Sequence, residues 1–151
     1  MVGHFFEGWV SAMELREYLS IRRAYNLVRK SMDSPERLTF AEFAILCRLD
    51  LSQSCLRTSE IADYQGSLRP TTTHRTKHLA SLGLIERQKG SADRRNVVCA
   101  ITDGGHDYAA RLCTMTCDRI SSTQPLGRTS PERVQRYVDA MGAISYMAGD
   151  L

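Results

Sequence analysis

The stretch from Thr58 to Gly105 constrains this chain most. It reads as a short helix, SEIADYQ, ended by Gly66, then a second helix, RPTTTHRTKHLASLG, then a hairpin, LIERQKGSADRRNVVCAIT. A lone hairpin is marginal in water and must lie on helices. In the second helix, at about 100° per residue, Thr72, Thr76, Leu79 and Gly83 share one face. Pro70, His74, Lys77 and Ser81 share the other, flanked by Thr71, Thr73 and His78, with Arg75 on the margin. The outward face offers hydroxyls, imidazoles and an ammonium and no large apolar group. That chemistry suits base edges and phosphates.

A solvated helix face would use the same residue types, so charge matters. Residues 57–95 hold eight Lys or Arg against four Asp or Glu, a net +4. Residues 1–56 are balanced at 0, and residues 96–151 carry −1. The basic excess sits in the helix–helix–hairpin segment, as an electrostatic footprint for phosphate should. A chain of 151 residues fits one domain.

The N-terminus, MVGHFFEGWVSAMELREY, has no basic run before an apolar one, and no apolar run reaches the ~18 residues of a membrane span. The expectation is a cytoplasmic chain without membrane contact. Its five cysteines show no CxxC spacing, which suits free thiols in a reducing compartment better than a disulfide framework. No Gly-rich phosphate loop, GxSxG or HExxH is present, so no enzyme, cofactor or metal site is expected. His74 and His78 stand four apart, but no third metal ligand lies near them.

Around this segment the periodicity predicts a long helix over roughly 10–32, with Leu15, Tyr18, Tyr25, Val28 and Met32 along one stripe. A second helix starts at Thr39 and runs to about Leu49. Thr39 and Glu42 have the spacing of a capping box, and Leu38 and Phe43 that of a hydrophobic staple. Thr58 is expected to cap the SEIADYQ helix. Strands are expected over 84–88 and 96–101, a helix from Thr102–Asp103 to about Ser122, and a last helix from Ser130 to about residue 148. The fold class is mainly α with a small β-hairpin wing.

Three elements carry a resemblance. They are Leu79-x-x-x-Gly83-Leu84-Ile85-x-Arg87, Asp93-Arg94-Arg95, and Ile101-Thr102-x-x-Gly105. In order and spacing the chain resembles the MarR (multiple-antibiotic-resistance regulator) family of bacterial transcription factors over roughly 38–105. One departure stands out: the family usually has aliphatic residues where this chain has Arg75 and Thr76.

The resemblance implies a winged helix-turn-helix. Its reader core spans about 38–105, and dimerisation helices span about 10–32 and 103–148, in one domain over 1–151. It implies a homodimer on a pseudo-palindromic operator in double-stranded DNA, acting as a ligand-responsive repressor. Arg95 would enter the minor groove from the wing tip, with Arg94 beside it and Asp93 holding an arginine in place. Arg69, Thr71, Thr73, His74, Arg75, Lys77 and His78 would face the major groove. A small aromatic ligand would sit in a crevice lined by Tyr18, Tyr25, Phe43, Cys47, Tyr108 and Leu112, unless these side chains are simply core.

Two other readings stay open. Cys113 and Cys117 stand four apart on one predicted helix and could sense oxidant or a soft metal, although buried cysteines behave as small hydrophobes. A winged helix can also bind protein and not DNA. The basic clustering argues against that.

Overall fold

The computed structural model describes residues 12–32, 37–90, 96–123 and 129–147. Six helices and three short strands form over them. They are α1 (Ala12–Ser31), α2 (Phe40–Ser52), β1 (Leu56–Arg57), α3 (Thr58–Gln65), α4 (Arg69–Ser81), β2 (Ile85–Lys89), β3 (Val97–Ile101), α5 (Asp103–Thr123) and α6 (Pro131–Met147).

Local chemistry sets the boundaries. Thr39 is the N-cap of α2: its hydroxyl accepts from the Glu42 N–H at 3.2 Å, and Glu42 Oε1 accepts from the Thr39 N–H at 2.9 Å. Leu38 and Phe43, the staple pair, are both fully buried. The helix outlasts its expected end at Leu49 by three residues. Gly66 closes α3 with φ +61°, the left-handed conformation that glycine adopts without steric cost.

Thr58 does not cap α3. Arg57 occupies that position, and the Thr58 hydroxyl instead donates to the Val97 carbonyl at 3.1 Å. Arg57 is free to do so because its backbone N–H and its guanidinium both bond Glu60, at 3.4 and 2.7 Å.

The expected hairpin is a three-stranded antiparallel sheet of order β1-β3-β2. The added strand is two residues long, with Leu56 opposite Cys99 and Arg57 opposite Val98. On the other side of β3, Ile85 pairs Ile101, Arg87 pairs Cys99, and Lys89 pairs Val97. Thr58 and β1 thus seat the wing on the start of α3.

The core lies between α1, α2, α5 and α6 and extends under α4 and the sheet. Tyr25 of α1 stacks on Phe43 of α2 at 4.6 Å, and its buried hydroxyl donates to the Leu38 carbonyl at 2.7 Å. Val134, Val138 and Met141 of α6 join Leu112 and Cys113 of α5 in the same cluster.

The IT-x-x-G motif gains a mechanical reason. The Thr102 hydroxyl accepts from the Gly105 N–H at 2.9 Å and donates to the Gly83 carbonyl at 2.7 Å, tying the start of α5 to the turn after α4. A Cβ on Gly105 would stand 2.0 Å from the Leu84 carbonyl oxygen, so only glycine lets α5 pass this close.

Candidate nucleic-acid interface

The helix α4 is presented by its own inner face. Thr72, Thr76 and Leu79 are fully buried, whereas Arg69, Pro70, Thr71, His74, Lys77 and Ser81 are exposed. The rotation read from the sequence is the one observed, and His74 and Lys77 point away from the core. Thr73 is half-buried at the edge of the exposed face. Pro70 falls in the first turn, where no helical N–H is lost.

The two inward hydroxyls differ. Thr76 donates to the Thr73 carbonyl at 3.1 Å, so it has a partner. Thr72 Oγ1 is buried without a partner. A back-bond to the carbonyl three residues earlier is open to any helical threonine, depending on its rotamer.

Two candidate groove residues are engaged inside the protein. Arg75 Nη1 donates to Gln65 Oε1 at 3.1 Å and to Ser67 Oγ at 2.9 Å, across the turn between α3 and α4. The His78 ring nitrogen Nδ1 is bonded to the Glu42 carboxylate at the start of α2. Sequence periodicity could put both on the margin of the helix but could not supply their partners, which come from distant positions.

Asp93, Arg94 and Arg95 lie outside the described residues. The strands that lead to them are ordered as a wing: β2 and β3 stay paired to Lys89–Val97, and the Gly90 N–H reaches the Asn96 carbonyl at 2.6 Å.

The six residues expected to line a ligand crevice pack as core. Tyr25, Phe43, Cys47 and Leu112 are fully buried, Tyr108 nearly so, and Tyr18 packs half-buried against them. Burial pushes the Tyr25 phenol far above its ordinary range, with nearby Tyr108 adding to it. Aromatic residues at helical spacing fill a crevice or a core equally well in sequence. Here Tyr25 stacks on Phe43 within the buried cluster. An open depression of about 320 Å³ lies elsewhere, between α1 and α5, lined by Leu27, Val28, Ser31, Met115, Asp118, Arg119 and Ser122.

Cys113 and Cys117 are both buried, and Cys117 Sγ is satisfied by the Thr129 carbonyl at 3.4 Å. The thiol of Cys113 meets Cys47 on α2. Burial pushes the Cys47 thiol well up, and the adjacent Cys113 adds to it. Cys117 is likewise raised by burial. Raised thiols are poor nucleophiles. Among the described residues no group of three His, Cys, Asp or Glu side chains could hold a metal, and no helix is long and apolar enough to cross a membrane.

A helix-turn-helix with a buried inner face, an exposed polar reading face and a three-stranded wing behind it defines a winged helix-turn-helix protein. The MarR family model matches residues 38–97, which takes in α2, the helix-turn-helix and the wing up to the start of β3. The match covers 60 of the 151 residues, and over them this chain is similar to the MarR family.

Solved structures share its fold. Apo MarR from E. coli is 16% identical, with 92% of this chain and 94% of that one covered at a TM-score of 0.59. The transcriptional regulator BldR from Sulfolobus solfataricus is 21% identical, covering 78% and 80%, at 0.57. BpsR from Bordetella bronchiseptica, described with regulation of its DNA binding by 6-hydroxynicotinic acid, is 20% identical, covering 95% and 98%, at 0.55. No curated protein matches the chain in sequence.

Proposed function

We propose that this protein is a homodimeric, sequence-specific repressor that binds a pseudo-palindromic site in double-stranded DNA and is released by a small aromatic ligand. The observation that carries the sequence-specific part is the exposed row Arg69, Thr71, His74 and Lys77 on a helix whose opposite face is locked into the core. A helix held this way enters a major groove with polar side chains in front and needs no rearrangement of its own packing. Arg94 and Arg95, carried at the tip of the paired strands, supply the minor-groove contact in this reading.

Apolar residues that α1 leaves in solvent support the dimer. Leu19 is 53% exposed and Leu27 is 38% exposed, on a helix whose other face is already buried against α2 and α5. A second copy would cover them. Two α4 helices then meet half-sites about one helical turn apart.

Release by ligand rests on the likeness to BpsR, whose DNA binding responds to a hydroxylated aromatic acid. The side chains expected to line a crevice pack against one another, which favours the depression between α1 and α5 for the effector. Its 320 Å³ falls within the range of small-molecule sites, and Val28 and Met115 give it apolar wall, with Asp118 and Arg119 also lining it.

Selection of bound duplexes from a random pool, followed by sedimentation of the complex, tests this reading. The expected result is an inverted repeat with half-sites about one turn apart, bound by two copies of the chain. Enrichment of no sequence over the starting pool would refute sequence-specific binding. It would favour the protein-interaction alternative.

A further inference from the structure

The departure at Arg75 from an aliphatic residue has a structural counterpart. The Gln65 side chain, 7% exposed, uses both ends of its amide: Nε2 donates to the Ala41 carbonyl at 2.9 Å, and Oε1 accepts from Arg75 Nη1 at 3.1 Å. The same Nη1 donates to Ser67 Oγ at 2.9 Å, so both of its hydrogens are committed to the turn. Arg75 therefore reaches, through Gln65, the first turn of α2.

His78, one helical turn further along α4, reaches the adjacent residue of that same turn. Its Nδ1 is bonded to Glu42 Oε2, while Glu42 Oε1 holds the Thr39 N–H at 2.9 Å. Two polar struts thus run from α4 to Ala41 and Glu42. The apolar support between them is small: the buried inner face of α4 offers one large side chain, Leu79, beside two threonines.

We infer that Arg75 and His78 are positioning residues that set the angle of the recognition helix on the first turn of α2, and that they are not phosphate or base contacts. Hydrogen bonds are directional where apolar contacts are not. A helix with one large buried side chain could roll about its axis, and two directional struts one turn apart along the same margin of its inner face oppose that roll. The reading face of Arg69, Thr71, His74 and Lys77 is thereby registered against the rest of the domain. This inference rests on the DNA-binding reading above.

The test separates positioning from contact by salt dependence, since each lost phosphate contact lowers the slope of log K against log salt by about one. Affinity for a selected duplex and for random-sequence duplex is measured over a salt series for wild type, Arg75→Met, Gln65→Met and the double variant. Denaturant unfolding is followed in parallel. Gln65 lies behind the helix and cannot touch DNA.

The expected result is that Arg75→Met and Gln65→Met each weaken selected-site binding by about tenfold, the scale of one charge-assisted hydrogen bond. Both should keep the wild-type slope, and the double variant should be no weaker than either single. Random duplex should be affected less. Arg75→Lys, which keeps the volume and one donor, recovers part of the loss and guards against a variant that fails to fold.

On the second strut, His78→Ala weakens selected binding with the slope retained. Glu42→Gln keeps an oxygen for Thr39 and an amide N–H for His78, and so stays near wild type. A slope lowered by about one in Arg75→Met, with Gln65→Met indistinguishable from wild type, would overturn the inference. So would additive losses in the double variant, or full affinity in every variant. A folded wild-type chain that binds neither duplex overturns the DNA-binding reading itself, and the struts' assigned role with it.

Discussion

The Tyr64 hydroxyl donates to the backbone carbonyl of Asp139 at 2.5 Å, which ties α3 to α6. Arg48 lies over the Tyr64 ring at 4.4 Å and pairs with Asp139 Oδ2 at 3.6 Å. The other carboxylate oxygen, Oδ1, is buried without a partner. Tyr64→Phe removes this tie between α3 and α6 and should lower stability by about 1 kcal/mol. Chemical denaturation checks it.

Asp139 gives the same joint a pH dependence. Burial raises its carboxyl above the ordinary value, with the Tyr64 hydroxyl and the Arg48 guanidinium partly offsetting the rise. The folded state therefore holds the proton more tightly than the unfolded state. That contribution to stability is complete below the ordinary carboxylate pKa of about 3.9 and is lost as pH rises through the raised value. Asp139→Asn, which mimics the protonated form, should stabilise the protein at pH 7, and its advantage should shrink as pH falls toward 4. A variant less stable than wild type at pH 7 would contradict the assigned burial cost.

The two inward threonines of α4 predict opposite behaviour. Thr72 Oγ1 has no partner, so Thr72→Val should stabilise the domain by up to about 1 kcal/mol through relief of a buried unsatisfied hydroxyl. Thr76 donates to Thr73, so Thr76→Val should gain nothing. Neither substitution should change base preference. His74→Ala, on the exposed face, should change it. Competition among selected duplexes measures this, and altered preference in Thr76→Val would mean the helix sits at another rotation.

How much of this was legible in the sequence depended on distance along the chain. The Thr39–Glu42 cap, the αL glycine at 66 and the inner face of α4 all came from periodicity or spacing within four residues, and the structure shows them so. What was missed involves partners far apart. The strand β1 is too short to have a period and exists only because Cys99 and Val98 are there to pair with it. Arg75 and His78 carry the residue types of a groove contact, and only Gln65 and Glu42, brought in by the fold, reveal the struts. The aromatic stripe of Tyr25 and Phe43 fitted crevice and core alike until its stacking was seen.

The thiols separate by burial. Cys55 is exposed, whereas Cys47, Cys99, Cys113 and Cys117 are buried. Burial raises Cys99 and Cys117, and Cys47 more strongly. Treatment of the native protein with a mild alkylating agent should modify Cys55 alone, with the other four reacting on unfolding, as mass spectrometry would show. Rapid native modification of Cys113 or Cys117 would instead support a thiol sensor.

The central claim is that α4 and the wing read duplex DNA from a locked scaffold. The most direct test is the salt dependence of affinity for a selected duplex, compared among wild type, Lys77→Ala and Arg95→Ala. The account predicts steep weakening of wild type with salt, a slope lower by about one in Lys77→Ala, and a loss of about 1–3 kcal/mol in Arg95→Ala. Salt-independent binding by wild type, or affinities and slopes equal across all three proteins, would contradict it.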